Sequence, residues 1–517
     1  MQIDDDPAVP LGGTPLGIEE VVRIARGDAR VAVTEAALAG VAATRAVIDA
    51  LAGDVAPHYG VSTGFGALAT TSIPREKRRA LQVSLVRSHA AGAGPEVEDE
   101  VVRATQLLRL QTLATGRTGV RPEVVRLYAG MLNARVTPIV HENGSLGCSG
   151  DLAPLAHIAL AATGEGDVLA DGRRIPAAAA LAAARLAPVE LVEKEGLALI
   201  NGTDGMLGML CLAIHDLRSL LDAADAAAAM SIEALLGTDR VFAADLQALR
   251  PHPGQRRSAA LVRALLAGSP IVASHAGPDD RRVQDAYSLR CAPQVHGAAR
   301  DTVEHAARVA GIELASAIDN PVVTPDGRVE SNGNFHGAPV GYVLDFLAIA
   351  AADVASMSER RTDRMLDPAR SQGLPPFLAD DPGVDSGLMI AQYTAASLVS
   401  DLKRLAMPAS VDSIPTSAMQ EDHVSMGWSA ARKLRRSVDG LRHVIAIELL
   451  TAARALDLRA PLESSAAIGG IRTVLRAAAP GAGPDRFLAP EIAAVTELLA
   501  REALAPILDP LIEKETA

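Results

Sequence analysis

The chain has 517 residues, of which 49% are hydrophobic and 21% are charged, and its formal net charge is −13. This composition is typical of a globular protein with a large core, and the length allows a few domains or one large helical unit. The negative charge argues against nucleic-acid binding, because a nucleic-acid partner requires a basic face.

Cysteines are sparse and the N-terminus is acidic. Cys148, Cys211 and Cys291 form no CxxC pair, so the sequence predicts no disulfide framework. Residues 1–6 lack the basic and apolar regions of a signal peptide. No run of uncharged apolar residues reaches the length of a membrane span, and the most apolar helix candidate, around 205–236, carries several charges. We therefore predict a cytoplasmic protein without a membrane partner.

Alanine and leucine recur at three- and four-residue spacing over most of the chain, which predicts an all-α fold. The predicted helices cover 18–52, 77–92, 97–115, 122–134, 204–236, 296–317, 338–364, 384–406, 425–457 and 488–507. Long apolar helices must bury faces on each other, so 204–236, 338–364 and 425–457 predict a central bundle. Short strand-like pieces at 167–170 and 322–324, followed by glycine turns, predict small outer hairpins.

Polar, glycine-bearing stretches interrupt the helices at seven places. They are 59–66, 88–94, 141–151, 201–205, 284–296, 331–339 and 420–426. Loops held by a rigid helical frame are where binding and catalysis concentrate. The sequence therefore predicts one composite site built from these stretches.

The stretch from Gly144 to Leu155 contains a tripeptide that can react with its own backbone. The amide nitrogen of Gly150 can attack the carbonyl carbon of Cys148, because glycine leaves the approach unhindered. Loss of one water closes a five-membered ring, and loss of a second from Ser149 leaves an exocyclic methylene. The simpler interpretation is a glycine-rich turn before a helix capped by Ser149 or Asp151.

This tripeptide in its context resembles the aromatic amino-acid ammonia-lyases, whose 4-methylidene-imidazol-5-one (MIO) cofactor forms from an X-Ser-Gly sequence. The family usually has alanine where this chain has Cys148, whose side chain would take no part in ring closure. The resemblance covers roughly residues 15 to 510, with all seven stretches in the expected order. It implies a fumarase/aspartase-like long-helix bundle, no external cofactor, no metal, and a homotetramer whose active sites are each assembled from three subunits.

The resemblance also divides the chain and assigns its first site residues. The whole chain, 1–517, is expected to be a single catalytic unit. Its N-terminal part, 1–203, carries the cofactor-forming loop, 204–457 forms the bundle and 458–517 the C-terminal helices. Tyr59 matches the family's catalytic tyrosine and is expected to remove the substrate's β-proton; a tyrosine in a glycine-rich turn is otherwise a packing anchor.

Other stretches supply the expected substrate contacts. Ser88 and His89 match the pair that sorts substrates in the family, and Ser-His resembles its histidine-specific branch. Asn201 is expected to bind near the substrate carboxylate and the cofactor carbonyl, although many relatives carry glutamine rather than Asp204 just after it. The remaining contacts expected from the resemblance are Gln284, Tyr287, Arg290 and Phe335.

Among these, Arg290 is the candidate for gripping the substrate carboxylate, because the guanidinium matches a carboxylate bidentately; a structural salt bridge is the alternative. Gln284 and Tyr287 are expected to hydrogen-bond around the reacting amine, with Tyr287 acting in catalysis, and Phe335 to lie against the cofactor. Glu421 lies in a stretch that matches the histidine-specific branch. It is expected to accept an imidazole N–H or to help proton transfer to departing ammonia.

The resemblance thus implies that L-histidine is deaminated to trans-urocanate and ammonia. Whether the substrate's amine or its ring is activated stays open. So do three competing functions: a tyrosine or phenylalanine ammonia-lyase or aminomutase on the same frame, a cysteine hydrolase using Cys148, and a non-catalytic helical scaffold.

Overall fold

The computed structural model describes residues 7–27, 29–54, 58–277 and 283–516, so the acidic residues 1–6 lie outside the described part. Most of the described residues are helical. The α-helices are Ile18–Arg26, Glu35–Ala52, Arg78–His89, Asp99–Ala114, Pro122–Asn133, Leu152–Ala162, Ala177–Ala183, Glu195–Ile200, Asp204–Ala234, Ala244–Ala248, Pro253–Leu266, Pro270–Ala273, Tyr287–Arg290, Ala292–Leu314, Ala338–Leu366, Met389–Leu405, Gly427–Asp457, Ala466–Ala478, Ala489–Ala500 and Ala505–Thr516. The fold is therefore all-α, as predicted.

Strands are few and short. They are Val9–Leu11, Val31–Val33, Ala93–Glu96, Thr137–Pro138, His141–Asn143, Asp167–Ala170, Arg173–Pro176, Val322–Val323 and Val329–Glu330. Both predicted hairpins form, because Asp167–Ala170 pairs antiparallel with Arg173–Pro176 and Val322–Val323 with Val329–Glu330. One pair is parallel and was not predicted: Val9–Leu11 with Val31–Val33.

Two predicted helices are wrong as continuous elements. The range 18–52 is split, because the first helix ends at Arg26, and the strand Val31–Val33 precedes a new helix capped by Thr34. The range 488–507 is split at Glu502, which has a left-handed φ of +54°. Alanine and leucine richness continues across both breaks, so spacing alone did not reveal them.

One helix among the described residues, Ala338–Leu366, is long and apolar enough to cross a membrane by length and composition. Asp345 and Asp353 interrupt its apolar residues, so it contains no uncharged run of that length, in agreement with the sequence analysis. Its apolar window is 61% buried inside the protein, as in the core helix of a soluble protein.

The described residues fall into two compact units. One takes the described residues within Met1–His215, Ala307–Asp345 and Pro408–Arg432, and the other those within Asp216–Ala306, Phe346–Met407 and Lys433–Ala517. We call them the first and the second unit.

Long helices in the second unit are joined by a buried carboxylate. Glu448, on the helix Gly427–Asp457, accepts hydrogen bonds from the hydroxyls of Ser231 and Ser358 at 2.7 and 2.6 Å. Arg361 pairs with the same carboxylate through two nitrogens, at 2.5 and 2.8 Å. The three helices that the sequence predicted to pack together are therefore tied by one ionic group.

Candidate active site

A cavity of about 590 Å³ lies in the first unit and collects six of the predicted site residues. They are Tyr59, Ser88, His89, Ser149, Asn201 and Glu421. Its remaining wall is largely apolar and includes Phe65, Leu81 and Leu152. An apolar pocket with a few convergent polar groups is typical of a small-molecule site.

The loop that carries Ser149 requires glycine at its last position. Gly150 has a φ of +81° and pairs with Gly202, and a Cβ built on Gly150 would lie 2.0 Å from the Gly202 carbonyl oxygen. The amide of Asp151 donates to that same oxygen at 2.7 Å. No residue with a side chain fits at this position, so the tripeptide's glycine is fixed by the local packing.

The carboxylate of Asp151 anchors the loop to the first turn of a long helix. It accepts hydrogen bonds from the amides of Gly205 and Met206, both at 2.9 Å, and from the hydroxyl of Ser145 at 2.9 Å. Burial raises the pKa of Asp151 to about 7, although these hydrogen bonds favour the ionised form. Asp151 does precede the helix Leu152–Ala162, but its side chain caps the helix Asp204–Ala234 instead.

Further contacts fix the other side of the loop. Gly147 accepts hydrogen bonds at its carbonyl oxygen from the Ser425 hydroxyl, at 2.7 Å, and from the Gly337 amide, at 3.1 Å. The stretches 331–339 and 420–426 therefore contact the loop, as the predicted composite site requires. Phe335, in the first of them, is half-buried but does not line the cavity.

Glu421 contacts two side chains of the tripeptide. Its carboxylate accepts from the Ser149 hydroxyl at 3.0 Å and from the Cys148 thiol at 2.9 Å. Thr416, which the sequence reading missed, donates to it at 3.0 Å. Burial raises the pKa of the Cys148 thiol to about 12, and the negative Glu421 adds to that rise. A thiol held protonated is a poor nucleophile, which weakens the cysteine-hydrolase interpretation.

Ser88 and His89 end the helix Arg78–His89, as predicted. His89 donates from Nδ1 to the Leu85 carbonyl at 2.9 Å, and Ser88 donates to the same oxygen at 3.1 Å. Burial lowers the pKa of His89, against the opposing influence of that carbonyl and of Glu421. A neutral ring that donates from Nδ1 keeps Nε2 as an acceptor.

Tyr59 and Asn201 also face the cavity. The phenol oxygen of Tyr59 accepts from the Gly66 amide at 3.3 Å, within its own loop. The Asn201 amide donates to the carbonyl of Asn320 at 3.0 Å, and Asn320 is a further cavity residue that the sequence reading missed. The buried Oδ1 of Asn201 has no hydrogen-bond partner among the described residues.

Three predicted residues belong to the second unit. Gln284 and Arg290 line another cavity there, and the Arg290 guanidinium lies 4.7 Å from the centre of the Tyr287 ring. Tyr287 is 70% exposed, and the buried Nε of Arg290 has no partner in the described part of the chain. Arg290 therefore shows no structural ion pair among those residues, which was the alternative to its role as a carboxylate ligand.

Comparison with known proteins identifies the family of this chain. The family model for aromatic amino acid lyases matches residues 16–477. Histidine ammonia-lyase of Streptomyces griseus is 62% identical over 97% of this chain and 98% of its own length, and that of Streptomyces avermitilis is 63% identical over 94% and 95%.

Solved structures extend the similarity to the fold. Histidine ammonia-lyase of Trypanosoma cruzi superposes with a TM-score of 0.90 at 39% identity, covering 98% of this chain and 96% of that one. Tyrosine aminomutase of Streptomyces globisporus superposes with a TM-score of 0.92 at 38% identity, covering 98% and 99%. The match over most of the chain, on the fold and loops described above, makes this protein a member of the aromatic amino acid lyase family and hence a carbon–nitrogen lyase.

Proposed function

We propose that this chain is a histidine ammonia-lyase, which converts L-histidine to trans-urocanate and ammonia without oxidation, as the first step of histidine degradation. The observation that carries the proposal is the placement of His89 and Glu421 beside Ser149 in one cavity. The Nε2 of His89 and the carboxylate of Glu421 are both acceptors, which suit the N–H of an imidazole but find no donor on a phenyl ring. The identity of 62–63% to histidine ammonia-lyases supports the same substrate.

The proposed cofactor is the MIO group formed from Cys148, Ser149 and Gly150. Two observations support its fit: the left-handed Gly150 has no room for a side chain, and the hydroxyl of Ser149, which would leave as water, faces the cavity beside Glu421. The group would supply a conjugated electrophile that activates the substrate for loss of ammonia.

The residues that line the cavity have separate proposed roles in binding and proton transfer. Tyr59 takes the β-proton, and its place in the cavity wall lets the phenol reach a bound amino acid. Glu421 accepts the imidazole N–H beside His89, and its carboxylate takes a proton from the substrate's ammonium group and returns it to the amine as it departs. Asn201 binds near the substrate carboxylate, where its unpartnered Oδ1 accepts an N–H from the ligand.

Gln284, Tyr287, Arg290 and Phe335 are proposed to complete the site from neighbouring copies of the chain. Support comes from the second unit. The ring of Tyr287 is exposed there, and the buried Nε of Arg290 has no hydrogen-bond partner among the described residues, so both could contact another copy of the chain. The proposal makes the protein a cytoplasmic homotetramer with shared active sites, in which 1–517 acts as one catalytic unit.

An aminomutase or a tyrosine lyase is the competing function, because the tyrosine aminomutase superposes as well as the histidine ammonia-lyase does. The fold therefore does not distinguish an aminomutase from an ammonia-lyase. The Ser88–His89 pair and Glu421 favour histidine, because an imidazole offers a ring N–H to these acceptors, whereas a hydroxyphenyl ring carries its only donor on the hydroxyl outside the ring.

The test has two measurements. Mass spectrometry of the peptide covering residues 141–158 is expected to show a deficit of two waters, which Ser149→Ala abolishes together with nearly all turnover. Side by side, L-histidine is expected to be deaminated much faster than L-tyrosine or L-phenylalanine. An unmodified peptide mass in an active preparation would contradict the cofactor, and faster turnover of L-tyrosine or L-phenylalanine would contradict the substrate.

A further inference from the structure

We propose that Arg109 is a positioning residue for Asn201, and that Asp204 holds the Arg109 guanidinium in place. The inference rests on the role proposed above for Asn201 in binding substrate. Arg109 does not line the cavity and so cannot act on the substrate directly.

Arg109 lies in the helix Asp99–Ala114 and is completely buried. One of its terminal nitrogens donates to the carbonyl oxygen of Asn201 at 2.7 Å, and the other to that of Ile318 at 2.9 Å. Ile318 stands two residues before Asn320, whose own carbonyl holds the Asn201 side chain. One guanidinium therefore joins the two segments that place Asn201 and Asn320 in the cavity wall.

Asp204 is the carboxylate beside this guanidinium. Its Oδ2 lies 3.5 Å from Arg109, both side chains are buried, and Thr112 contacts its Oδ1 at 3.5 Å. Burial raises the pKa of Asp204, and the charge of Arg109 opposes the rise. The aspartate that stands where many relatives carry glutamine is thus a counter-charge of a buried arginine, and Asp319 is another.

Gly202, between these groups, has no room for a side chain. A Cβ on Gly202 would lie 2.6 Å from Arg109 and 2.4 Å from the Asp204 carboxylate. The carbonyl of Gly202 also accepts from the amide of Asp151, at the end of the cofactor-forming loop. A displaced guanidinium would therefore move Asn201 relative to Ser149.

A matched control lies on the same helix. Arg103 is also buried and also donates to carbonyl oxygens, those of Ile24, Ala25 and Leu132. None of these three residues lines the cavity. Arg103→Lys and Arg109→Lys thus remove similar hydrogen bonds, but only the second disturbs the segment of Asn201.

The experiment is a double-mutant cycle on kcat/KM for L-histidine. Arg109→Lys alone is expected to lower kcat/KM by about tenfold, but by less than about twofold when Asn201→Ala is already present, because a residue that acts through another loses its effect with it. Arg103→Lys is expected to change kcat/KM by less than about twofold in either background. Equal losses from Arg109→Lys in both backgrounds, or an equal loss from Arg103→Lys, would overturn the proposal.

A second variant covers the case in which Arg109→Lys does not fold, as judged by its thermal transition. Asp204→Asn keeps the arginine and the side-chain size, and is expected to lower kcat/KM by about threefold, again only while Asn201 is present. Its failure to couple with Asn201→Ala would overturn the role of Asp204. Wild-type turnover of L-tyrosine or L-phenylalanine in place of L-histidine would contradict only the proposed substrate, and the cycle would then be measured with that amino acid.

Discussion

At the scale of single residues, Cys148 is the member of the tripeptide whose side chain the chemistry does not need. Its thiol is buried against Glu421, and burial raises its pKa to about 12. Cys148→Ala is therefore expected to keep the two-water deficit and to change kcat for L-histidine by less than about fivefold, since it removes one hydrogen bond to a carboxylate. Loss of turnover with the ring intact would instead support a nucleophilic cysteine.

His157, in the middle of the helix Leu152–Ala162, makes the stability of the fold depend on pH. Its Nε2 accepts from the Gly92 amide at 3.1 Å, so the contact requires an unprotonated nitrogen. Burial lowers the pKa of His157, and the neighbouring His141 lowers it further. The unfolded chain therefore binds the proton more readily, so this stability is complete above about pH 6.5 and is lost as the pH falls below it.

His157→Gln tests this dependence, because a glutamine oxygen can accept from Gly92 without titrating. Between pH 8 and pH 5 the Tm of the wild type is expected to fall more than that of the variant. His89 and His296 remain in both proteins, and burial lowers the pKa of each, so the variant keeps a smaller slope. Parallel Tm curves over this range would show that the Gly92 contact does not depend on the protonation of His157.

Motifs identified residues that line the cavity, but not the residues that hold them in place. Ser149, His89 and Glu421 could be chosen from local patterns, and the cavity brings them together. Arg109 could not, because its partners Asn201 and Ile318 lie 92 and 209 residues away in the sequence. The only signal in the sequence was a charged residue, Arg109, within a largely apolar helix. No local pattern indicates which carbonyl groups such a buried arginine will bind.

At the scale of elements, apolar spacing predicted where the long helices lie but not where helices stop. The helices Asp204–Ala234 and Gly427–Asp457 end within a few residues of their predicted bounds. The split at Val31–Val33 depends on pairing with the strand Val9–Leu11, and the Asn133 side chain accepts from the Val31 amide at 2.8 Å. Such partners are distant in sequence, so helix propensity alone predicts a helix that continues across the break.

We expect the Glu448 carboxylate to contribute strongly to the stability of the packing among the long helices. Glu448→Ala leaves the buried charge of Arg361 without its partner, so the free energy of unfolding should fall by about 3–5 kcal/mol. Arg361 also donates to the carbonyl of Ser288 at 3.2 Å, so the short helix that carries Arg290 should loosen as well. The matched control is Glu497→Ala, which removes an exposed pair with Arg501 and should leave the Tm unchanged. Equal Tm shifts in the two variants would contradict this prediction.

At the scale of the whole molecule, apolar side chains remain exposed along one helix despite the net charge of −13. Tyr342, Phe346 and Ile349, on Ala338–Leu366, are spaced to share a helix face and are 52%, 46% and 46% exposed. An exposed apolar stripe on a long helix is typical of a surface that contacts another protein. Under the proposed homotetramer, a second copy of the chain covers it.

Shared active sites lead to a complementation experiment with two inactive variants. Tyr59→Phe removes the proposed base in the first unit, and Arg290→Gln removes the proposed carboxylate ligand in the second. If the two residues of one site come from different copies, co-expression creates some sites in which both are intact. Random mixing in equal amounts should then restore about a quarter of wild-type kcat.

If both residues of a site came from one copy, every site in the mixture would carry one defect, and activity would stay at the level of the separate variants. The control mixes the purified variants without exchange of subunits, where no recovery is expected. Size-exclusion chromatography of each variant must give the wild-type mass. A recovery of activity then reflects which copies supply the residues of a site, and not a change in assembly. Recovery in the co-expressed sample alone is therefore the result that a site shared between copies requires, because only there do Tyr59 and Arg290 from different chains meet.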